Sequence, residues 1–398
     1  MRAWPTEVVI HPGSGPFRAV VAGLGAVRSA LAAQLADQGI ERPMVVCGAQ
    51  VARSPSLAIV LDSLGDRDIP VFDGSRPHTP VESVNAGAAA ARACGADALL
   101  AVGGGSTMDC ARGIARLLRE GLDDLAAVAP AEWGGLARGG AAAPGRPPLP
   151  ILCVGTTLSF AEFLPFFGAR HAAVARKRPY SEAGTASRTV FLDGEVAAHT
   201  PVGLWRETGV KALDDALSAF CRAGAPEPFA DPVLTAAMGE LARALLASRE
   251  AGDAGGAAAR QHAFTAVWMT KASLPRLAPF AVPAWFSTAA RHSLGAVLEL
   301  PHGVGSCVAL VPGLRFQLDA TGAREHELHA SVAWPPAVRR DALIETVAAL
   351  LDALAVPTRL GAVVDGDPRL DEVATAMCEE APALGPPSAV RRVCDEMV

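Results

Sequence analysis

The run Leu99-Leu-Ala-Val-Gly-Gly-Gly-Ser-Thr-Met-Asp109 holds the residue types most suited to binding chemistry. Apolar residues end in three glycines and a serine, and a helix-like segment follows. Glycine lets a backbone approach a phosphate closely, and the N–H groups at a helix start bind the anion. Gly103, Gly104, Gly105 and Ser106 therefore form a candidate phosphate cradle. Ser106 either adds a hydroxyl donor or acts as the helix N-cap. The competing reading is a tight turn with an ordinary cap. The pattern is not G-x-G-x-x-G, so the dinucleotide fingerprint does not apply. No Gly-Lys-Ser/Thr follows, so it is not a P-loop either.

The elements that must position this loop come from apolar patterning. Glu7–Ile10, Arg18–Val21, Pro43–Cys47, Ile69–Phe72, Ala98–Val102, Pro150–Val154 and Thr189–Asp193 read as strands. Between them Ala26–Gln38, Pro55–Leu64, Val81–Cys94 and Asp109–Arg119 read as helices. Ser54 stands as an N-cap candidate with Pro55 at the first helical position. Alternating helices and continuous apolar strands predict a parallel α/β sheet. Gly121–Pro150, rich in Gly, Ala and Pro, reads as a long surface loop. After about Thr200 the strand signals nearly vanish. Trp205–Arg222, Pro232–Arg249, Gln261–Leu274, Pro283–Leu298, Ala342–Leu354 and Leu370–Glu380 read as helices. The expectation is an α/β domain over 1–197 and an all-α domain over 198–398.

Composition bounds the partners. The chain has 398 residues, 51% apolar and 19% charged, with a net charge of −6. That is globular, with ample core material. Mild acidity gives no global electrostatic case for nucleic acid or an anionic membrane. No apolar run reaches the roughly 18 residues of a membrane span. The first residues lack the apolar core of a signal peptide, so the expected compartment is the cytosol. The eight cysteines form no C-x-x-C pair and are expected as buried free thiols. Heavy use of Ala and Arg fits a GC-rich coding bias, which lowers the weight of any single Arg.

Several segments, in order, carry a family resemblance. They are Val71-Phe-Asp-Gly with His78-Thr-Pro80-Val-Glu, then Gly103-Gly-Gly-Ser-Thr-Met-Asp109, Thr156-Thr157-Leu-Ser159-Phe-Ala-Glu162, Thr208-Gly-Val-Lys211, His292-Ser-Leu-Gly and Pro301-His302-Gly. Leu351-Asp-Ala-Leu-Ala-Val-Pro357 fits the closing helix and turn. Together they resemble the iron-containing alcohol dehydrogenase superfamily, most closely its maleylacetate reductase branch. The resemblance implies a dinucleotide-binding α/β domain and a helical domain, with reaction in the cleft facing the latter. It places the coenzyme pyrophosphate at Gly103, Gly104, Gly105 and Ser106. It sets Asp109 near the nicotinamide end, and Thr156, Thr157 and Ser159 along the coenzyme. Lys177 falls near the family's basic hairpin position. His78 matches a cleft residue of the reductase branch, a substrate-side position. Phe160, with Phe163, Phe166 and Phe167, is either core or an apolar wall over nicotinamide or substrate. Arg170, His171, Arg176, Lys177 and Arg178 make either a solvated hairpin or a carboxylate- or phosphate-binding edge.

The resemblance fails at the metal. The family's ligand positions are filled here by Lys211, Asp215, Thr288 and His302, so only the last keeps a family ligand. One His and one Asp beside an ammonium group do not make a zinc or iron site, and no bound metal is expected. Lys211 then supplies the missing positive charge, paired with Asp215 one turn on, or the two form a structural salt bridge in a dead site. Asp214 is assigned to another face and a structural role. His302 is a candidate proton donor, and His292 matches a position beside the nicotinamide.

Strand Met44–Gly48 ends without an acid and Arg53 follows, so NAD and NADP stay equally open. The implied function is a metal-independent NAD(P)-dependent oxidoreductase acting on a carbonyl or alcohol of an oxo or hydroxy acid. A narrower alternative is a natural-product tailoring dehydrogenase of the daptide-peptide kind. It would oxidise a β-hydroxy acid with decarboxylation, at a peptide terminus. A third class is a non-catalytic binding subunit. The expected assembly is a homodimer.

Overall fold

The computed structural model of the protein describes residues 8–10, 19–131, 147–171, 177–181, 183–223, 225–251, 256–274 and 284–398. Glu7, Arg18, Arg176, Pro283 and residues 132–146 of the expected loop lie outside them. The chain divides into two compact units: 1–200 with 253–261, and 201–252 with 262–398.

The first unit runs β1 (Val8–Ile10), β2 (Ala19–Ala22), α1 (Ala26–Asp37), β3 (Pro43–Val46), α2 (Ala49–Ala52), α3 (Pro55–Asp62), β4 (Val71–Phe72), α4 (Val81–Ala93), β5 (Ala98–Gly103), α5 (Gly105–Glu120), β6 (Ile151–Gly155), β7 (Phe166–Arg170), β8 (Lys177–Ser181), β9 (Thr189–Leu192) and α6 (Gly194–Ala197). Seven strands form one sheet in the order β1-β2-β9-β6-β5-β3-β4. Only β1 is antiparallel to its neighbour. Strands β3, β5, β6 and β9 are buried along their whole length. A parallel sheet covered on both faces needs such continuous apolar strands. Leu31, Leu35, Val60, Leu100, Val102, Val154 and Phe191 share one core.

Two turns in this unit lead from a strand into a helix through glycines, and they differ. At α1 the buried Asp193 carboxylate accepts from the N–H groups of Gly25 at 3.1 Å and Val27 at 3.0 Å. The start of α1 is thus closed by the chain's own anion. At α5 the N-cap is Gly104, and no side chain caps the helix. Ser54 does sit at the N-cap of α3 with Pro55 following, but its hydroxyl makes no cap bond. It donates back to the Val51 carbonyl at 2.9 Å.

The second unit is helical throughout its described residues: α7 (Val202–Arg222), α8 (Ala230–Ala251), α9 (Ala257–Ser273, whose start to Gln261 belongs with the first unit), α10 (Phe286–Val297), α11 (His302–Ser331), α12 (Leu343–Leu354), α13 (Leu370–Glu380) and α14 (Pro387–Asp395). Phe286, Leu294, Val308, Val373, Met377 and Val390 form its core around α10 and α13. The 30-residue helix α11 is not foreseen from the sequence, because Gly303, Gly305, Pro312 and Gly313 read as breakers. Two of those glycines serve close packing instead. A Cβ on Gly303 would lie 2.9 Å from the Glu207 backbone, and one on Gly305 2.9 Å from Arg291 Cα. Helix α11 therefore starts pressed against α7 and α10, which brings His302 and Ser306 beside them.

All eight cysteines are free thiols, six buried and Cys94 and Cys378 half-buried. No helix among the described residues is long and apolar enough to cross a membrane.

Candidate active site

The first unit builds a cradle at the end of β5. Helix α5 begins at Gly105, four residues earlier than the sequence pattern suggests, so the glycines form its cap and first turn. A Cβ on Gly103 would meet Thr107 Oγ1 at 2.5 Å, and one on Gly104 would meet Thr157 Oγ1 at 2.8 Å. At Gly105 it would meet Ser159 and Ala161 Cβ at 3.5 and 3.6 Å. Five of the predicted coenzyme positions thus converge: the three glycines, Thr157 and Ser159. Thr156 supports them through its backbone, donating to the Gly103 carbonyl at 3.0 Å and accepting from the Thr200 hydroxyl at 2.7 Å.

Ser106 is not the N-cap; it is the second residue of α5. Its Oγ accepts from the His78 N–H at 3.2 Å, and its carbonyl accepts from the Thr79 hydroxyl at 3.2 Å. His78 and Thr79 both hold left-handed backbone conformations, with φ of 60° and 53°. Two adjacent non-glycine residues in that region cost about 1–3 kcal/mol each. The strain is held by Ser106 and by the Arg170 N–H, which donates to the Thr79 carbonyl at 2.9 Å. The predicted substrate-side His78 is therefore tied to the phosphate cradle through its backbone.

Asp109 lies one turn into α5. Its carboxylate sits 3.5 Å from Lys177 Nζ on β8 and 3.8 Å from the buried Arg112. Lys177 and Asp109 thus link α5 to the hairpin β7–β8. Within the basic cluster His171 is buried and shares a 2.6 Å hydrogen bond with the Tyr180 hydroxyl, while Arg170, Lys177 and Arg178 are half-buried. Burial and the Arg178 charge hold the His171 imidazolium below its usual range. Phe163 and Phe167 are core, Phe167 stacking on Tyr180 at 5.0 Å. Phe160 is 4% exposed with φ 64°, so little of its ring is presented outward.

Beside the end of β3, Asp73 offers a carboxylate just after the paired strand β4. Gly48 bridges Gly74, and the Ser75 N–H donates to the Cys47 carbonyl at 3.1 Å. Asp73 lies between, exposed and near enough to Cys47 for its charge to act there. The Cys47 thiol is pushed up to about 11 by burial, with Asp73 adding to the rise.

The second unit assembles a charged network from α7, α10 and α11. Lys211 Nζ lies 2.6 Å from Asp215 Oδ2. The other Asp215 oxygen accepts from Arg291 Nη2 at 2.7 Å, and Arg291 Nη1 reaches Asp214 Oδ2 at 2.8 Å. Asp214 is fully buried and also accepts from Trp285 Nε1 at 3.0 Å, Ser287 Oγ and Ser306 Oγ at 3.0 Å. Burial pulls the Asp215 carboxyl upward, but Arg291 and Lys211 outweigh it and hold the group below the usual carboxylate range. Asp214 is fully buried and turned away from the half-buried Asp215, and it also anchors Arg291. Arg291 joins it to Asp215 in one network, since a guanidinium fork spans two carboxylates that a helix turns apart.

His292 Nδ1 is 2.6 Å from Glu380 Oε1 at the end of α13, and its ring meets His302 edge-on at 5.3 Å. Arg291 and Glu380 escape the sequence reading, and Asp73 enters it only within the Val71-Phe-Asp-Gly motif. Arginine is discounted by composition, and Glu380 lies 88 residues from its partner.

Family models match nearly the whole chain: iron-containing alcohol dehydrogenase over residues 18–194, and the C-terminal domain of the Fe-containing alcohol dehydrogenase family over 206–392. The chain belongs to the iron-containing alcohol dehydrogenase family. It is accordingly an NAD(P)-dependent oxidoreductase. It is 26% identical over 311 residues to lactaldehyde reductase of Escherichia coli K12, covering 77% of this chain and 76% of that one. It is 27% identical over 300 residues to a maleylacetate reductase of Burkholderia cepacia, covering 75% and 72%. In fold it matches sulfoacetaldehyde reductase of Bifidobacterium kashiwanohense, solved with NAD+, at a TM-score of 0.77, 19% identity and 98% of each chain.

The residues at the family's metal positions do not fit a divalent ion. Both Asp215 oxygens already carry cations, an ammonium stands at position 211, and Thr288 offers only a weak neutral hydroxyl. Among the described residues no three His, Cys, Asp or Glu side chains gather as a metal site.

Proposed function

We propose that this chain is a metal-independent, NAD-linked oxidoreductase interconverting the carbonyl and alcohol of a small oxo or hydroxy acid. The observation that carries the reading is the Lys211–Asp215 pair at 2.6 Å, standing where relatives of this family place a metal. The two reductases of lactaldehyde and maleylacetate support small oxygenated substrates.

When bound, the nicotinamide coenzyme supplies or accepts the hydride. The residues of the chain do the rest. The N–H groups at the start of α5 and the Ser106 hydroxyl take the pyrophosphate, in a cradle walled by Thr157 and Ser159. Because Ser106 Oγ already accepts from the His78 N–H, its own proton is directed outward as a donor. Asp73 suits the two adenosine ribose hydroxyls as acceptor and opposes a 2′-phosphate, which favours NAD over NADP. Lys211 donates to the substrate oxygen and stabilises the charge that develops there as the carbonyl is reduced. Asp215 keeps that ammonium aimed. Glu380 accepts from His292 Nδ1–H, which leaves the lone pair of His292 on Nε2 as a proton acceptor. The His292–His302 pair then moves the alcohol proton.

Substituting Lys211→Met tests the reading. Removal of one preorganised donor lowers kcat by about 10²–10³-fold, while NADH binding, read by nicotinamide fluorescence, is retained. Unchanged turnover on small oxo acids would remove Lys211 from the chemistry. A chain that binds NADH but turns over no oxo or hydroxy acid would be a binding subunit.

A further inference from the structure

The Lys211–Asp215 pair does not stand alone, and its surroundings assign a role to a residue outside the family's usual site. An isolated Lys–Asp pair four apart on a helix is a weak, mobile contact. Here Asp215 is gripped from both sides by cations on different helices, Lys211 of α7 at 2.6 Å and Arg291 of α10 at 2.7 Å. Arg291 is itself fixed by Asp214 at 2.8 Å, and Asp214 is fixed by Trp285, Ser287 and Ser306. The charges alternate in a row: Asp214, Arg291, Asp215, Lys211. Their sum is zero, so each buried carboxylate has its own cation. Without Arg291 two neighbouring carboxylates would share one ammonium. Asp214 and Arg291, at 0% and 7% side-chain exposure, are the buried end of the row, and the Asp215–Lys211 pair, at 22% and 16%, is the end that reaches the surface.

We propose that Arg291 is the positioning residue of this site: its guanidinium brings the second positive charge that a divalent ion would have carried, and locks Asp215 so that the Lys211 ammonium is held rigidly toward substrate. The proposal rests on the reading that Lys211 meets the substrate oxygen. Arg291 acts only through Asp215 and Lys211 and touches no reacting atom. Lysine cannot replace it, because a point charge lacks the planar fork that spans two carboxylates.

The chain makes the test unusually clean, since Lys177, Lys211 and Lys271 are its only lysines. Selective 13C-lysine labelling of the whole protein gives three ε-methylene signals, assigned by single Lys→Arg substitutions. In the unaltered protein the Lys211 signal is expected to relax as slowly reorienting as the backbone. In Arg291→Lys and Arg291→Gln it moves and gains mobility, while those of Lys177 and Lys271 stay in place. Turnover drops by about 10–100-fold, as a small misplacement of a catalytic group does, with the KM for NADH little changed and Arg291→Lys the milder of the two.

A freely mobile Lys211 in the unaltered protein overturns the proposal before any variant is made. So does a Lys211 signal unmoved in Arg291→Lys, the variant that keeps a buried positive charge and is the safer folder. The spectral result stands apart from activity. If Lys211→Met turns over normally, the functional reading fails, whereas an unmoved Lys211 signal removes Arg291 alone.

Discussion

At the scale of single residues, the identity of position 211 is informative because the chain has 32 arginines and only three lysines. An ammonium is a compact point charge with three rotatable donors, suited to one developing oxyanion. The neighbouring His292 depends on Glu380 for its tautomer, so Glu380→Gln lowers kcat by about tenfold or more, within the 10²–10⁴ that acid–base transfer as a whole supplies. Steady-state kinetics checks this, with NADH affinity unchanged. Asp73→Ser removes the carboxylate that opposes a 2′-phosphate, so the ratio of NADH to NADPH affinity falls by about tenfold. Parallel fluorescence titrations read that ratio. The spacing of Lys211 and Asp215 was legible in the sequence because a helix fixes which residues face each other. Arg291 was not, since nothing in a chain rich in arginine separates a buried guanidinium from a solvated one.

At the scale of elements, the proposed function puts the coenzyme at the glycine turn before α5, since the rival turn before α1 is closed by Asp193. Thr157 stands 2.8 Å from where a Gly104 Cβ would be, and a β-branched side chain has little freedom to yield. Gly104→Ala therefore costs about 1–3 kcal/mol of stability by overpacking and weakens NADH binding by narrowing the cradle. Gly203→Ala, near the start of α7 with nothing within 4 Å, is the control. It leaves NADH binding alone and raises stability by up to about 1 kcal/mol. Denaturant unfolding and titration separate the two effects. The strands β3, β5 and β6 were legible as continuous apolar runs. Helix α11 was not, because Gly303 and Gly305 read as breaks. They are contact points, and only the approach of α7 and α10 reveals it.

At the scale of the whole molecule, the second unit carries a liability that titrates. Glu325 is 3% exposed, and among the described residues neither carboxylate oxygen has a hydrogen-bond partner. Burial pushes its carboxyl up to about 7. Below its unfolded value near 4.5 the group is neutral in both states. Between there and 7 only the folded chain holds the proton, so stability falls as pH rises through that window and levels off above it. Glu325→Gln, neutral at every pH, matches the unaltered protein at pH 4.5. By pH 8 it gains about 1–3 kcal/mol over it, the cost of an unsatisfied buried group. Thermal unfolding across that range gives the difference.

The order of motifs along the chain made the fold legible across both units. The Lys211–Asp215 spacing was legible too, but the network around it is spread over the three helices α7, α10 and α11 and had to be seen. The most direct test is NADH oxidation with a panel of small oxo acids by chelator-stripped protein of measured metal content. Turnover that persists at substoichiometric metal, and does not rise when zinc or ferrous iron is added back, is the expected result. Turnover that appears only on adding a divalent ion, and grows with its occupancy, would contradict a site in which Lys211 and Arg291 have taken the metal's place.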